Sequence, residues 1–230
     1  MEGDKYLNFP VTLLRDAFKD ISQTMEKVMD YAGYVHTLKL EHGSNEKKMK
    51  DAGDYFGMTY YNSVGSFERG RSIHNSTPKN TPHVGITKTM AFDFYNNPKS
   101  DDDIAVLLAF LALKSIIGNK PYIKTTNEFM IARMAGYSRV SDMPRPLPMP
   151  LGLYATRRKL DNIKFDLQIN WKMNMYSRFI RGFYVSFDQK IDIDKLIFEA
   201  EKRRKSTNEK QLQARKDEAR RKALKTLFTN

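Results

Sequence analysis

The chain has 230 residues, with 39 lysines and arginines against 27 acids and no cysteine, for a net charge of +12. Its 40% hydrophobic content, 12% of the chain being aromatic, exceeds that of a disordered protein and suffices for a buried core in one or two domains. The missing thiols exclude disulfides, thiolate metal sites and cysteine nucleophiles, and no apolar run reaches the roughly 18 residues of a membrane span.

The opening residues, MEGDKYLNFP, lack the charged-then-apolar order of a secretion signal. Together with the absence of cysteine this leads to the expectation of a cytoplasmic protein that makes no membrane contact. A pI near 9.6 points to polyanionic partners. The charge is unevenly placed. Between Lys202 and Lys225 eleven lysines and arginines face three acids, an excess of eight, so most of the global charge belongs to the C-terminal end.

Residues 10–41 read as one long helix. Val11, Leu14, Phe18, Ile21, Met25, Val28, Ala32 and Val35 recur in steps of three and four, with Pro10 suited to a first turn and Gly43 to a stop. Such a stripe either packs on its own domain or forms a coiled-coil seam, which makes residues 10–41 a possible homodimer contact. Ser44 to Phe56 suits a short helix closed by Gly57, giving an N-terminal helical region over 1–57.

Residues 58–85 look like a long loop, punctuated by Gly65, Gly70, Pro78, Pro82 and Gly85. Its aromatics Tyr60, Tyr61 and Phe67, beside Arg69 and Arg71, suit either base stacking or anchoring to the body. MAFDFYN (residues 90–96) alternates and reads as a strand or extended connector, so 58–99 form an irregular segment. Asn75-Ser76-Thr77 matches a glycosylation acceptor, which means nothing without export. His36, His42, His74 and His83 make no metal spacing, and neither metal nor cofactor is expected. There is no phosphate-cradling glycine loop, serine elbow or paired-carboxylate arrangement, so the expectation is a non-enzymatic protein.

From residue 100 the local signals agree. Ser100 with Asp103 caps a helix whose interior runs from Ile104 to Ile117, ended by Gly118-Asn119. PYIKT is an extended link, and Thr125 with Glu128 suggests a capping box opening a second helix from Asn127 to Ala135 with Arg133 facing out. Prolines at 144, 146, 148 and 150 forbid a helix and suggest a stiff polyproline-like strut. A third helix from about Gly152 to Gln168 would bury Leu153, Leu160, Ile163 and Leu167. NWKMNMY and FIRGFYVSF then alternate as two strands, Trp171, Met173 and Met175 on one face of the first and Phe183, Val185 and Phe187 on one face of the second.

Helix, short strand, helix, connector, basic helix and hairpin follow the order of winged helix-turn-helix DNA-binding domains, as in plasmid and phage replication initiators or regulators. By element order, residues 103–187 resemble that family. The connector of about fourteen residues departs from its usual tight turn, and the fate of the third helix depends on whether that connector leaves it exposed. The resemblance implies that the third helix enters the major groove through Arg157, Arg158, Lys159, Lys164 and Gln168, while the wing offers Lys172, Arg178 and Arg181 to the backbone.

Residues 188–230 hold no proline or glycine and read as a basic helical tail, with a frayed joint expected at Ser206-Thr207-Asn208. Arg203, Arg204, Lys205, Arg220 and Arg221 are its candidate phosphate contacts. The fold class expected is mainly α with a small β component: a winged-helix core over 100–187, a long N-terminal helix and a basic C-terminal helix. The function expected is nucleic-acid binding, DNA ahead of RNA, as a replication or transcription factor of a mobile element or phage. The alternative is a structural or adaptor protein that assembles through its N-terminal helix and its tail and uses the winged helix for docking.

Overall fold

The computed structural model of the protein describes residues 4–40, 42–57, 64–177 and 182–228. It is mainly helical with two small antiparallel sheets, as the composition and periodicities imply. β1 (Tyr6–Pro10) pairs with β2 (His83–Thr87), Tyr6 opposite Thr87 and Pro10 opposite His83. Around this ribbon lie α1 (Ile21–Thr37), α2 (Asn45–Phe56), α3 (Val64–Ser76) and α4 (Lys88–Asn96).

The stretch 10–41 is not one helix. A 3-10 turn over Val11–Asp16 gives way to a break, and Asp20 restarts the chain by accepting a hydrogen bond from the Gln23 amide at 2.8 Å. A side chain that caps a new helix competes with continuation of the old one. The apolar stripe nevertheless does what its spacing implies within the chain: Val11, Leu14, Met25, Val28 and Ala32 are buried in the protein's own core.

α2 ends where expected, with Gly57 in the left-handed region. The expected loop at 58–85 contains a full helix instead. Residues 58–63, including Tyr60 and Tyr61, lie outside the described residues, but α3 runs along α1. Gly70 makes this close approach possible, since a Cβ there would sit 2.4 Å from the Asp30 carbonyl oxygen; the residue that reads as a loop marker is a helix-packing notch. Across the same contact Arg69 donates to the buried Asp30 carboxylate, from Nε at 2.6 Å and from Nη2 at 3.3 Å. Burial pushes Asp30 above the usual carboxylate value despite the guanidinium. Phe67 packs edge-on against Tyr34 at 5.2 Å, so this aromatic anchors the segment to the body.

MAFDFYN is also helical. Thr87 caps α4 by accepting from the Met90 amide, and Ala91 and Phe94, three residues apart, form its buried seam.

α5 (Asp101–Ile117) is the centre of the molecule. Ser100 caps it as expected, and with Asp103 it forms a reciprocal capping box. Ile104, Leu107, Leu108, Leu111, Ala112 and Leu113 are all buried, the mark of a helix covered on every side. One contiguous core runs through it from Leu7 to Val185. β3 (Tyr122–Thr125) and α6 (Asn127–Met134) follow. The cap of α6 is Thr126, which accepts from the Phe129 amide at 3.1 Å, rather than Thr125. Arg133, expected to face out, is buried with its guanidinium over the Phe129 ring.

The connector is a series of turns, not a straight strut. Val140–Asp142 form a 3-10 turn, the peptide bonds before Pro146 and Pro150 are cis, and α7 (Leu151–Tyr154) closes the segment. Met143, Leu151 and Tyr154 bury themselves in the core. α8 therefore starts at Arg157 and runs to Asn170. β4 (Met173–Tyr176) and β5 (Phe183–Phe187) form the expected hairpin, and β5 lies between β3 and β4 in the second sheet.

α9 (Ile193–Phe228) is a single helix of 36 residues, about 54 Å long, and it passes through Ser206-Thr207-Asn208 without a joint. Its start is docked: Leu196 and Ala200 pack with Tyr184, Tyr122 and Tyr176 on the second sheet. No helix among the described residues is long and apolar enough to cross a membrane.

Candidate nucleic-acid interface

α8 is positioned by its apolar residues. Leu160, Ile163 and Leu167 recur at helical spacing and are buried, which fixes the helix on the core side of the sheet and turns the opposite face to solvent. Leu153, expected in that stripe, sits in α7 and is exposed, because the chain turns again at Ala155 before α8 begins. The outward face carries Arg157, Arg158, Asp161, Phe165, Gln168 and Ile169.

The candidate cations on α8 divide into two groups. The Arg157 side chain is 95% exposed and stands 3.9 Å from Asp161, a contact too open to hold it. Arg158 is exposed and makes no ion pair among the described residues, and Gln168 is exposed. Lys159 is held differently: its ammonium lies 3.2 Å from the Asp102 carboxylate, which also accepts from the Tyr154 hydroxyl at 2.7 Å. Those two hydrogen bonds, the tyrosine's first, hold Asp102 below the usual carboxylate value. Lys164 is the most constrained, with 16% of its side chain exposed and its ammonium 4.6 Å from the centre of the Phe183 ring. Burial lowers its pKa. Lys164 thus joins α8 to the hairpin and does not project from the surface.

Between the start of α6, the connector, the first half of α8 and the tip end of the hairpin (Ser177, Gly182 and Phe183) lies a cleft of about 1030 Å³. Thr126, Glu128, Arg145, Arg157, Lys164 and Ser177 are among its lining residues. Arg145 bonds to Glu128 across its mouth. This ion pair ties the connector to α6, while Arg157 and Arg158 in the first turn of α8 are exposed. Arg145 escaped the sequence reading because its proline surroundings suggested only a spacer.

Of the hairpin candidates, only Lys172 lies among the described residues. Arg178 and Arg181 lie outside the described residues. Lys172 is at the opposite end of β4 from the hairpin tip, in the left-handed region at φ 51°, roughly 20 Å from the start of α8 by helix rise.

On α9, Arg203 stacks over the Tyr122 ring at 4.9 Å and Arg204 bonds to Glu201 at 2.7 Å. Both belong to the docked start of the helix. Lys205, Arg220 and Arg221 are exposed, in a stretch exposed throughout from Lys205 to Lys222.

Sequence reasoning also missed two exposed apolar residues. Phe165 and Ile169 are 66% and 63% exposed, one turn apart on the outward face of α8. Their spacing relative to Leu160 and Ile163 places them off the buried stripe, a signal the leucines obscured.

Three of the four histidines, His36, His74 and His83, are engaged in packing, and His42 is exposed. His83 lies 3.0 Å from the Tyr31 hydroxyl and 2.9 Å from the Thr81 carbonyl oxygen, and His36 stacks on Tyr55. Among the described residues no group of three or more His, Asp or Glu is placed to hold a metal. In comparisons with known proteins, no family model, no curated protein and no solved structure matches the chain.

Proposed function

We propose that the protein binds duplex DNA, with residues 100–187 acting as a winged helix-turn-helix and the exposed half of α9 supplying sequence-independent attraction. The observation that carries this reading is the combination of α5, β3, α6, α8, β4 and β5 in that order with a β3-β5-β4 sheet and an α8 whose first turn presents Arg157 and Arg158 to solvent. Guanidinium groups at the start of a helix suit bidentate recognition of guanine in a major groove. The tail has the excess of cations that neutralises phosphate. A cytosolic replication or transcription factor of a mobile element or phage uses such a pairing of reader and electrostatic anchor.

The test is selection of duplexes from a random pool by the intact protein and by the Arg157→Ala/Arg158→Ala variant. The reading expects the intact protein to enrich a motif and the variant to lose or change it, while both retain salt-sensitive affinity. Identical enrichment by both would defeat α8 as the reader.

A second reading is favoured by Phe165 and Ile169. An exposed apolar pair on the outward face suits protein docking, so the same domain would serve as an adaptor module. In that case Phe165→Ser would abolish capture of a protein partner and leave DNA affinity unchanged.

A further inference from the structure

At the far end of the domain from the first turn of α8, a second cavity of about 310 Å³ opens between the first strand, α5 and the base of the hairpin. Its walls are aromatic: Tyr6, Phe110, Trp171 and Phe187. Phe110 meets Trp171 at 4.5 Å between ring centres and Phe187 edge-on at 6.0 Å. The polar groups are three lysines, Lys114, Lys172 and Lys190, with Gln189, and among the described residues no carboxylate lines it. The nearest acid in sequence, Asp188, accepts from the Asn174 side chain at 3.0 Å.

The lysines are set in place. Lys114 donates to the Gly85 carbonyl oxygen at 2.7 Å and lies 4.5 Å from the centre of the Tyr6 ring. That single bond uses one of its three N–H donors, and burial lowers its pKa. Lys190 donates to the Gly118 and Lys120 carbonyl oxygens at 2.9 and 3.2 Å. Lys172 is exposed at the rim, the only non-glycine residue at positive φ among the described residues. Cations left without a carboxylate beside flat π-faces suit a ligand that has both an anion and a planar ring. The cavity is at the small end of the about 300–1000 Å³ range of ligand pockets, the size of a single nucleotide.

We propose that this pocket binds one nucleotide, its base against the Phe110–Trp171 wall and its phosphate toward Lys114 and Lys172. The occupant is either a free mononucleotide or one unpaired nucleotide of a single strand. The inference is independent of α8 as a DNA reader.

Trp171 is the only tryptophan in the chain, so its fluorescence reports the pocket directly. The full-length protein is titrated with 5′-AMP, with ribose 5-phosphate and with a single-stranded ten-residue deoxyadenosine oligonucleotide. The expected result is saturable quenching by AMP or the oligonucleotide and none by ribose 5-phosphate, which has no base. Lys172→Ala should weaken that binding several-fold. Phe110→Leu, which keeps an apolar side chain but removes the ring, should weaken it by about tenfold or more. Comparable affinity for AMP and the oligonucleotide identifies a free-nucleotide site, and much tighter binding of the oligonucleotide identifies a strand site. Absence of saturable quenching by both, or quenching unchanged in Lys172→Ala and Phe110→Leu, overturns the proposal.

Discussion

α8 and the second half of α9 are both rich in lysine and arginine, but the charges have different structural duties. On α8 the cations alternate with a buried stripe, and two of the four are engaged by neighbours: Lys159 at the surface by Asp102 and Tyr154, Lys164 under cover by Phe183 and Asp161. Arg157 and Arg158 are left free at a position fixed by Leu160, Ile163 and Leu167. On α9 every residue from Lys205 to Lys222 is exposed, and the cations there stand along a helix face open to solvent. A held helix with few free charges suits recognition. A free helix with many suits attraction that ignores sequence. The net charge of a protein therefore says little about where its specificity resides.

The comparison is broken most forcefully by truncation after Glu201, which removes the excess of eight positive charges and spares Leu196 and Ala200. If about six of those charges meet phosphate, the log–log salt slope of duplex binding becomes shallower by about 5, for all sequences alike. Fluorescence anisotropy across a salt series measures it, and an unchanged slope would mean the tail is merely a solvated helix.

Next in size is the effect on stability of one leucine in each helix. Leu167→Ala opens a cavity under α8 and should cost about 3 kcal/mol in denaturant unfolding. Leu212→Ala, on the exposed part of α9, should stay within about 0.5 kcal/mol. Equal costs would show that the tail is packed after all.

Within α8 the two kinds of cation separate in the same way. Lys164→Ala removes a sheltered cation–π contact and should lower stability by about 1 kcal/mol with little effect on duplex affinity. Arg158→Ala should do the reverse, leaving the unfolding midpoint in place and weakening binding by about tenfold. Parallel melting and anisotropy measurements on the two variants decide it.

The smallest effect is in acid. Asp102 has a folded pKa below the ordinary 3.8, so its stabilising bonds are fully present above that value. They are lost as pH falls through the folded value. Asp102→Asn should flatten this part of the stability profile below about pH 4, and a melting series from pH 2 to 6 would detect a profile that does not change.

The parts of the fold legible in the sequence are those where cap, period and stop coincide. α5 has Ser100 and Asp103 at one end and Gly118 at the other, and the β4–β5 hairpin alternates cleanly. The sequence misled where one residue serves a tertiary purpose. Gly70 looks like a loop marker because only the approach of α1 explains it, and Asp20 sits inside an apolar period that it interrupts by capping. MAFDFYN satisfies both periods over seven residues, and packing of Ala91 and Phe94 chose the helix. At the candidate interface, residue type identified Arg157, Arg158 and Gln168 as available. It could not distinguish them from Lys164, whose partner Phe183 is nineteen positions away, nor show that Lys172 belongs to a different pocket from the start of α8.

The most direct measurement of the central claim is binding of the chain truncated after Glu201 to a mixed-sequence duplex at low salt, with and without Arg157→Ala/Arg158→Ala. Measurable affinity in the truncated protein that the double substitution removes is the result expected if α8 contacts DNA itself. No affinity in the truncated protein, or affinity indifferent to both arginines, would contradict it.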